Sequence, residues 1–179
     1  DGHRADMGFE QYGGYAKLGY EISQAWNVRA DVNVTHFNAS QPGTVTNPMA
    51  DADQRITRGM TSLSVENNYG RTSGALSLFY NWGRHRINDG YTVDPNDTNN
   101  PKDYRFNSRD DMMGVSWYQS ARLFRGNRLT VGADYYRFGG EAWNRYVEGD
   151  RKGERSDIAD KSQDEVAGYV DFRQDIGGW

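Results

Sequence analysis

In the stretch Trp26-Asn27-Val28-Arg29-Ala30-Asp31-Val32-Asn33-Val34-Thr35-His36-Phe37, apolar and polar side chains alternate at every position from Val28 to Thr35. A period of two places the valines on one face of an extended chain and the polar residues on the other. This period is typical of a β-strand and does not fit a helix, whose side chains repeat every 3.6 residues. The stretch therefore predicts a strand with two unlike faces.

Six further segments alternate in the same way, so the chain is predicted to be all-β, with about seven antiparallel strands. The last of them is expected at about Glu165–Asp175. Three residues break the period, because Asn67 and Gln119 lie among apolar positions and Phe79 lies among polar ones. The apolar positions of these six segments are Ala16, Leu18, Tyr20, Ile22; Thr61, Leu63, Val65, Tyr69; Leu76, Leu78, Tyr80, Trp82; Met113, Val115, Trp117, Ala121, Leu123; Leu129, Val131, Ala133, Tyr135; and Val166, Val170, Phe172.

Short and long connections alternate between the segments. The short ones are expected at Gln24–Asn27, Gly70–Gly74 and Phe124–Arg128. The long polar ones are expected at Ala39–Ile56, Asn88–Arg105 and Asn144–Asp164. Up-and-down barrels of the outer membrane have tight periplasmic turns and extended outer loops. The alternation therefore favours transmembrane β-barrel strands.

Composition limits the other possibilities. The chain has 179 residues, about one domain, and its mean hydropathy of −0.94 leaves no apolar run of the roughly 18 residues that a membrane helix needs. A net charge of −4 without a basic stripe argues against nucleic acid as a partner. There is no Cys, and Asp1-Gly2-His3-Arg4 does not resemble a signal peptide. We expect the chain to be a section of a longer secreted protein.

Segment length and aromatic placement point to a membrane rather than to a soluble sandwich. Roughly 13 to 15 residues at about 3.3 Å each exceed the usual strand of soluble proteins. The apolar faces carry almost no charge, which is expected to cluster in loops and on the opposite face. Aromatic rings favour the two membrane interfaces. The predicted interfacial aromatics are Trp26, Tyr69, Trp82, Phe124 and Trp143, together with Phe37, Phe106 and Trp179.

Three segments carry a family resemblance. They are Gly8-Phe9-Glu10-Gln11-Tyr12-Gly13-Gly14-Tyr15-Ala16-Lys17-Leu18-Gly19-Tyr20, then Trp26–Asp31 with Phe37–Gly43, and Tyr169-Val170-Asp171-Phe172-Arg173-Gln174-Asp175. These resemble the barrel of TonB-dependent outer-membrane receptors, most of all those of the Bacteroidetes type. The resemblance extends over residues 1–179, while the plug domain and the TonB box of the family are not in this sequence.

The resemblance implies a 22-stranded barrel, closed by an N-terminal plug, in the outer membrane of a Gram-negative bacterium. Such a receptor would take up a scarce nutrient, namely an iron–siderophore, haem, cobalamin or a glycan, with energy from the TonB complex. Its partners would be outer-membrane lipid, its own plug, the TonB complex and the nutrient. Two alternatives remain open at this point: a small self-contained barrel with a structural or adhesive role, and a soluble β-sheet binding module.

The polar face supplies the candidate site. In a plugged barrel it would line the lumen, where its residues hold the plug or face the substrate. The candidates are Lys17, Arg29, Asp31, Asn33, Glu66, Tyr118, Asp134, Tyr136 and Arg173. The sequence has no nucleophile–base spacing and no metal-ligand cluster, so it predicts neither enzymatic activity nor a cofactor.

Three weaker candidates lie near the long connections. Asp94–Asn100 and the pair Asp51 and Asp53 offer oxygen ligands of the kind that calcium binds, although solvated loops have the same composition. His36 and His85 are possible haem ligands, although isolated histidines are more often plain polar residues. The loop Asn144–Asp164 mixes both charges and could clamp a charged ligand, although a mobile solvated loop is the more common explanation of such a composition.

Overall fold

The computed structural model describes residues 7–93, 96 and 101–177, and these form an all-β protein. Its nine strands are β1 (Phe9–Ser23), β2 (Trp26–Ser40), β3 (Met49–Ala50), β4 (Asp53–Asn68), β5 (Thr72–Asn88), β6 (Tyr91–Thr92), β7 (Tyr104–Ala121), β8 (Asn127–Tyr146) and β9 (Arg155–Gln174). In the described ranges no helix is long and apolar enough to cross a membrane. Asp94, Asn100 and Trp179 lie outside the described residues.

Seven of the strands form one antiparallel sheet in the order β1-β2-β4-β5-β7-β8-β9. Each strand pairs with the next long strand along the chain, so the sheet is an up-and-down meander, and the prediction of about seven antiparallel strands is confirmed. Within the described residues β1 and β9 make no contact with each other. The sheet therefore has two edges, one of 15 residues and one of 20.

The connections gather at opposite ends of the sheet. The turn end carries the three short connections, residues 24–25, 69–71 and 122–126, and the loop end carries residues 41–52, 147–154 and the described residues between β5 and β7. Gly70 and Gly126 adopt positive φ in two of the short connections, a conformation that glycine accepts without steric cost. The predicted alternation of short and long connections is confirmed.

The predicted bounds of the third long connection are wrong. Asn144–Tyr146 belongs to β8 and Arg155–Asp164 belongs to β9, which leaves only residues 147–154 between the strands. The segment predicted as the strand Glu165–Asp175 is the second half of β9. Its first half carries Asp157, Asp160, Lys161 and Asp164 on a fully exposed strand, so no apolar alternation marks it. Backbone pairing with β8 keeps it extended.

The other two long connections are joined by a small second sheet. Met49 pairs with Thr92 and Ala50 with Tyr91 in the two-stranded β3–β6 ribbon. The Thr92 hydroxyl also donates to Asn47 Oδ1 at 2.8 Å. These bonds dock residues 41–52 against residues 89–93 over the loop end of the sheet, close to the buried Asn88 and Ala52.

The strand register joins the predicted apolar positions into one surface. Leu18, Ala30, Leu63, Leu78, Val115, Tyr135 and Val166 are consecutive direct partners across all seven strands. We call this surface the apolar face and the reverse side the polar face. A one-residue slip in any strand would interrupt the apolar face, so the shared period fixes the register.

The apolar face is exposed. Val32 is 43% exposed and Leu78 is 40%, and in β5 each apolar-face residue from Leu76 to Tyr80 is more exposed than Ser77 or Phe79 on the other side. Among the described residues, the buried apolar side chains are only those of Ala52 and Ala75. The seven strands therefore enclose no hydrophobic core of their own, and the polar face is the more crowded one.

Charge enters the apolar face towards the loop end. From Met113 to Ala121 in β7 that face is free of charge, but farther along it carries Asp111 and Arg109. Arg84 is the direct cross-strand partner of Arg109, and Arg86 and Arg55 follow one row nearer the loop end. The expectation that the apolar face carries almost no charge is therefore wrong for this half. The strands run well past the apolar band, and there the side chains are free to be ionic.

The two polar breaks in the apolar face pair with each other. Asn67 and Gln119 flank Gly74 on neighbouring strands, and each side-chain amide donates to the other's oxygen at 3.2 Å. Each side chain thereby donates one hydrogen bond and accepts one. Gly74 makes the contact possible, because a Cβ there would lie 2.8 Å from Gln119 Cδ.

Replacing Gly74 by alanine should therefore destabilise the protein. We expect Gly74→Ala to lower the free energy of unfolding by about 1 to 3 kcal/mol, since the added methyl group overpacks the site and separates the two amides. Urea unfolding of the folded chain measures the loss. Gly14→Ala is the matched control, because a Cβ at Gly14 meets nothing within 4 Å. Equal midpoints for the two variants would contradict the role of Gly74.

Candidate functional site

The polar face is a network of short polar contacts in its central part. The Ser116 hydroxyl donates to Asp134 at 2.5 Å, and the Ser62 hydroxyl donates to Asp31. Small hydroxyl residues therefore satisfy the carboxylates of neighbouring strands. The Asn81 side-chain oxygen is buried and has no hydrogen-bond partner among the described residues. The face thus combines satisfied acids with at least one buried acceptor that has no hydrogen-bond partner within the described residues.

All nine candidate residues of the polar face do lie on that face, and the register shows which of them meet. Arg29 forms an ion pair with Glu66 at 3.4 Å. Lys17 lies directly opposite Asp31. The others are spread across the sheet: Asn33 on β2, Tyr118 on β7, Asp134 and Tyr136 on β8, and Arg173 beside Asp171 on β9. They form a lining that spans seven strands rather than one compact cluster, and their role in the lumen stays a prediction.

Aromatic rings occupy the middle of the polar face. Phe79 and Tyr136 lie with ring centroids 5.8 Å apart, and Tyr136 and Phe138 lie 6.5 Å apart. Gly114, between Phe79 and Tyr136 in the register, leaves the space for both rings, because a Cβ there would come within 2.5 Å of Phe79 Cζ. Phe79, which breaks the alternation of β5, is therefore part of an aromatic cluster.

Sequence reasoning missed an ionic cluster near the loop end of the polar face. Arg58 donates to Asp110 at 2.7 Å and lies 3.2 Å from His85 Nε2. His85 Nδ1 lies 2.9 Å from the Ser108 hydroxyl and 3.6 Å from Asp110. Extending the period of two past Thr61, Trp82 and Met113 would have found these four residues. The alternation was assigned only as far as those three residues.

Five of the predicted interfacial aromatics lie towards the two ends of the apolar band, whereas Phe37 and Phe106 keep the period of the polar face. At the turn end the Trp26 indole donates to the Tyr69 hydroxyl, with their rings edge to face, and Phe124 is exposed in the short connection 122–126. Trp82 lies over Gly59 where the band meets the charged rows. Trp143 lies two rows nearer the loop end, 4.2 Å from the Arg155 guanidinium. Contact of these rings with a membrane interface stays a prediction.

The described residues that were candidates for binding calcium or haem do not come together as a set of ligands. Asp51 lies 3.6 Å from Arg105, and Asp53 lies 3.9 Å from Arg55, so each carboxylate faces a cation. His36 faces the apolar side, 2.7 Å from the Thr57 hydroxyl, whereas His85 belongs to the polar face, so the two cannot ligate one haem. Among the described residues no group of three or more His, Asp or Glu side chains could hold a metal ion.

The charged segment 144–164 is ordered strand and turn over most of its length. The Glu141 side chain is only 15% exposed. Its carboxylate forms ion pairs with the guanidinium groups of Arg109, at 2.6 Å, and of Arg155, at 3.0 Å. Hydrogen bonds from Arg155 to Asp157 and to Glu141 raise the pKa of Arg155. The interpretation of this segment as a mobile charged loop is therefore wrong, because residues 155–164 pair with β8, and Arg155 both binds Glu141 across the strands and stacks on Trp143.

No family model matches the chain, and neither the curated proteins nor the solved structures contain a match to it. Any functional conclusion therefore depends on the faces and clusters described above and on the resemblance of the sequence segments.

Proposed function

We propose that this chain is part of the β-barrel of a TonB-dependent outer-membrane receptor that takes up a scarce nutrient. One observation carries the membrane part of the proposal: a continuous apolar surface runs across seven strands and remains exposed, and in β5 it is more exposed than the polar surface behind it. In water such a surface would raise the free energy of the folded chain, whereas hydrocarbon would cover it at no polar cost.

The dimensions of the apolar band support the same proposal. The nine residues from Met113 to Ala121, at about 3.3 Å per residue, extend about 26 Å along β7. A membrane-spanning strand needs about 9 to 11 residues. Aromatic residues lie at both ends of the band, and the remaining rows of the strands are ionic. These rows would project beyond the bilayer on the side of the long connections.

The receptor assignment further implies that a plug domain fills the interior of the barrel and contacts the polar face. The polar face has carboxylates, arginines and hydroxyls in small bonded groups, and Asn81 retains an unsatisfied oxygen within the described residues. A plug domain would meet this face through hydrogen bonds and ion pairs. Outer-membrane lipid, the plug, the TonB complex and an iron–siderophore, haem, cobalamin or glycan are the partners of this proposal. The proposed function does not include a catalytic activity.

Spin labels at matched positions test the membrane part. In lipid vesicles we expect labels at Leu78 and Val131 to be relaxed mainly by oxygen, which concentrates in hydrocarbon. Labels at the neighbouring Ser77 and Thr130, on the polar face, should respond mainly to a water-soluble nickel chelate. Labels on both faces that respond equally to the nickel chelate would contradict the proposal.

The nutrient part needs its own experiment. The protein extracted from its native outer membrane should carry one bound iron chelate, haem, cobalamin or glycan in a fixed ratio to the protein, detectable by mass spectrometry. Preparations that retain lipid but consistently contain none of these compounds would argue for a structural or adhesive barrel instead.

A further inference from the structure

Four arginines form a compact block on the apolar face, beyond the end of its uncharged band. Arg55 is the direct cross-strand partner of Arg86, and Arg84 is the direct partner of Arg109. Both pairs point to the same side as Leu78, because all four residues keep its period. We call these four residues the arginine block.

The block places like charges opposite each other twice, an arrangement that destabilises a sheet unless anions neutralise it. Neighbouring carboxylates of this chain neutralise only the outer arginines of the block. Arg109 binds Glu141 at 2.6 Å, and Arg55 lies 3.9 Å from Asp53. Among the described residues, Arg84 and Arg86 have no carboxylate within 4.0 Å. Positive charge therefore remains uncompensated at the centre of the block.

The four guanidinium groups line one shallow pocket together with His36 and Trp143. All four arginines are exposed, so a ligand can reach them without displacing other side chains. Guanidinium groups bind phosphate oxygens in a planar, two-pronged geometry and are always charged. The pocket therefore has the chemistry of a site for a phosphorylated group.

What lies next to the block decides between possible ligands. One row nearer the turn end, Trp82 covers Gly59 on the same face, and Tyr80 and Leu78 continue the apolar band behind it. A free anion would use only the arginines. A molecule with a phosphate head and a hydrocarbon tail would use both the arginines and the adjacent band.

We propose that the arginine block binds the phosphorylated head group of a membrane lipid whose acyl chains lie along the apolar face at Trp82, Tyr80 and Leu78. This inference rests on the proposed membrane contact of that face, and it adds a specific lipid site to it. The lipid would neutralise the two opposed arginine pairs and fix the depth of the sheet in the bilayer.

Lipid titration followed by native mass spectrometry tests the site on the full 179-residue chain in a neutral detergent. The probes are phosphatidic acid, diacylglycerol with the same acyl chains, and inorganic phosphate. We expect phosphatidic acid to bind more tightly than diacylglycerol. The double variant Arg84→Gln with Arg86→Gln should weaken phosphatidic acid binding about 30-fold, as expected for two arginines beside a lipid head group.

The matched control is Arg125→Gln with Arg128→Gln, which removes the same charge at the turn end. It should change the affinity less than about three-fold, because these residues lie outside the block. An unchanged preference in the Arg84 and Arg86 double variant would overturn the proposal. Competition by inorganic phosphate at the concentration of the lipid would also overturn it, because the site would then be one for free anions.

The spin-label experiment separates this proposal from the one it rests on. Lipid-exposed labels at Leu78 and Val131, combined with no effect of the double variant, would refute the arginine block alone. Water-exposed labels at those positions would refute both proposals.

Discussion

Leu78→Arg is expected to prevent stable insertion of the sheet into a bilayer. Leu78 lies in the row that runs from Leu18 to Val166, in the middle of the uncharged band. An arginine at the bilayer midplane of a barrel costs about 2 to 4 kcal/mol, because the charge cannot reach water. Urea-induced unfolding of the chain in phosphatidylcholine vesicles should show that the free energy of unfolding falls by that amount.

Ser77→Arg is the control for this prediction. Ser77 is the preceding residue of β5 and faces the polar side, where Ser64 and Ser116 are its cross-strand partners. We expect the same added charge to cost less than about 1 kcal/mol there, since the side chain remains among polar groups. If the apolar face met water instead, Leu78→Arg would be nearly neutral, because Leu78 is already 40% exposed. Equal stability of the two variants would therefore contradict the membrane assignment.

The period of two was sufficient to predict the central part of the sheet. Val28, Val65, Leu76 and Trp117 were assigned to apolar faces of separate segments, and the structure makes them direct partners. The prediction succeeded because each strand has one apolar side, and only one register aligns these sides. The short turn between β4 and β5 also left few other ways to pair Val65 with Leu76.

The same period could not predict where the strands end. Arg155–Asp164 carries polar residues on both sides, so its hydropathy does not differ from that of a loop. It remains a strand because β8 offers a row of backbone partners. Local sequence does not contain this long-range pairing. The charged rows around Arg84 and Arg109 were missed for another reason, because charged residues there replace the apolar ones that marked the period.

The polar face shows a similar division. The assignment of Arg29, Asp134 and Arg173 to it followed from alternation alone and agrees with the register. The contact between Asn67 and Gln119 joins residues 52 positions apart in the sequence. It depends on the register of two strand pairings, β4 with β5 and β5 with β7. Sequence could mark these two residues as exceptions, and only their juxtaposition explains them.

The free edges of the sheet decide between a section of a large barrel and a small barrel closed on itself. Long exposed edge strands are unusual, because their unpaired backbone groups attract other strands. In hydrocarbon such groups would also lack hydrogen-bond partners. Within the described residues the two edges are not paired with each other or with a further strand. In a large barrel further strands would pair with both.

Amide hydrogen exchange of the chain, as a monomer in neutral detergent, should reveal those edges. Backbone N–H groups of β1 and β9 that point away from the sheet should exchange at least about a thousand-fold faster than those of β5, because only the latter have partners on both sides. The amides of β1 and β9 that face β2 and β8 serve as controls for fraying, and they should exchange at intermediate rates. Slow exchange at both outer edges in a verified monomer would mean that β1 and β9 pair with each other. That result would favour the small closed barrel over a section of a larger one.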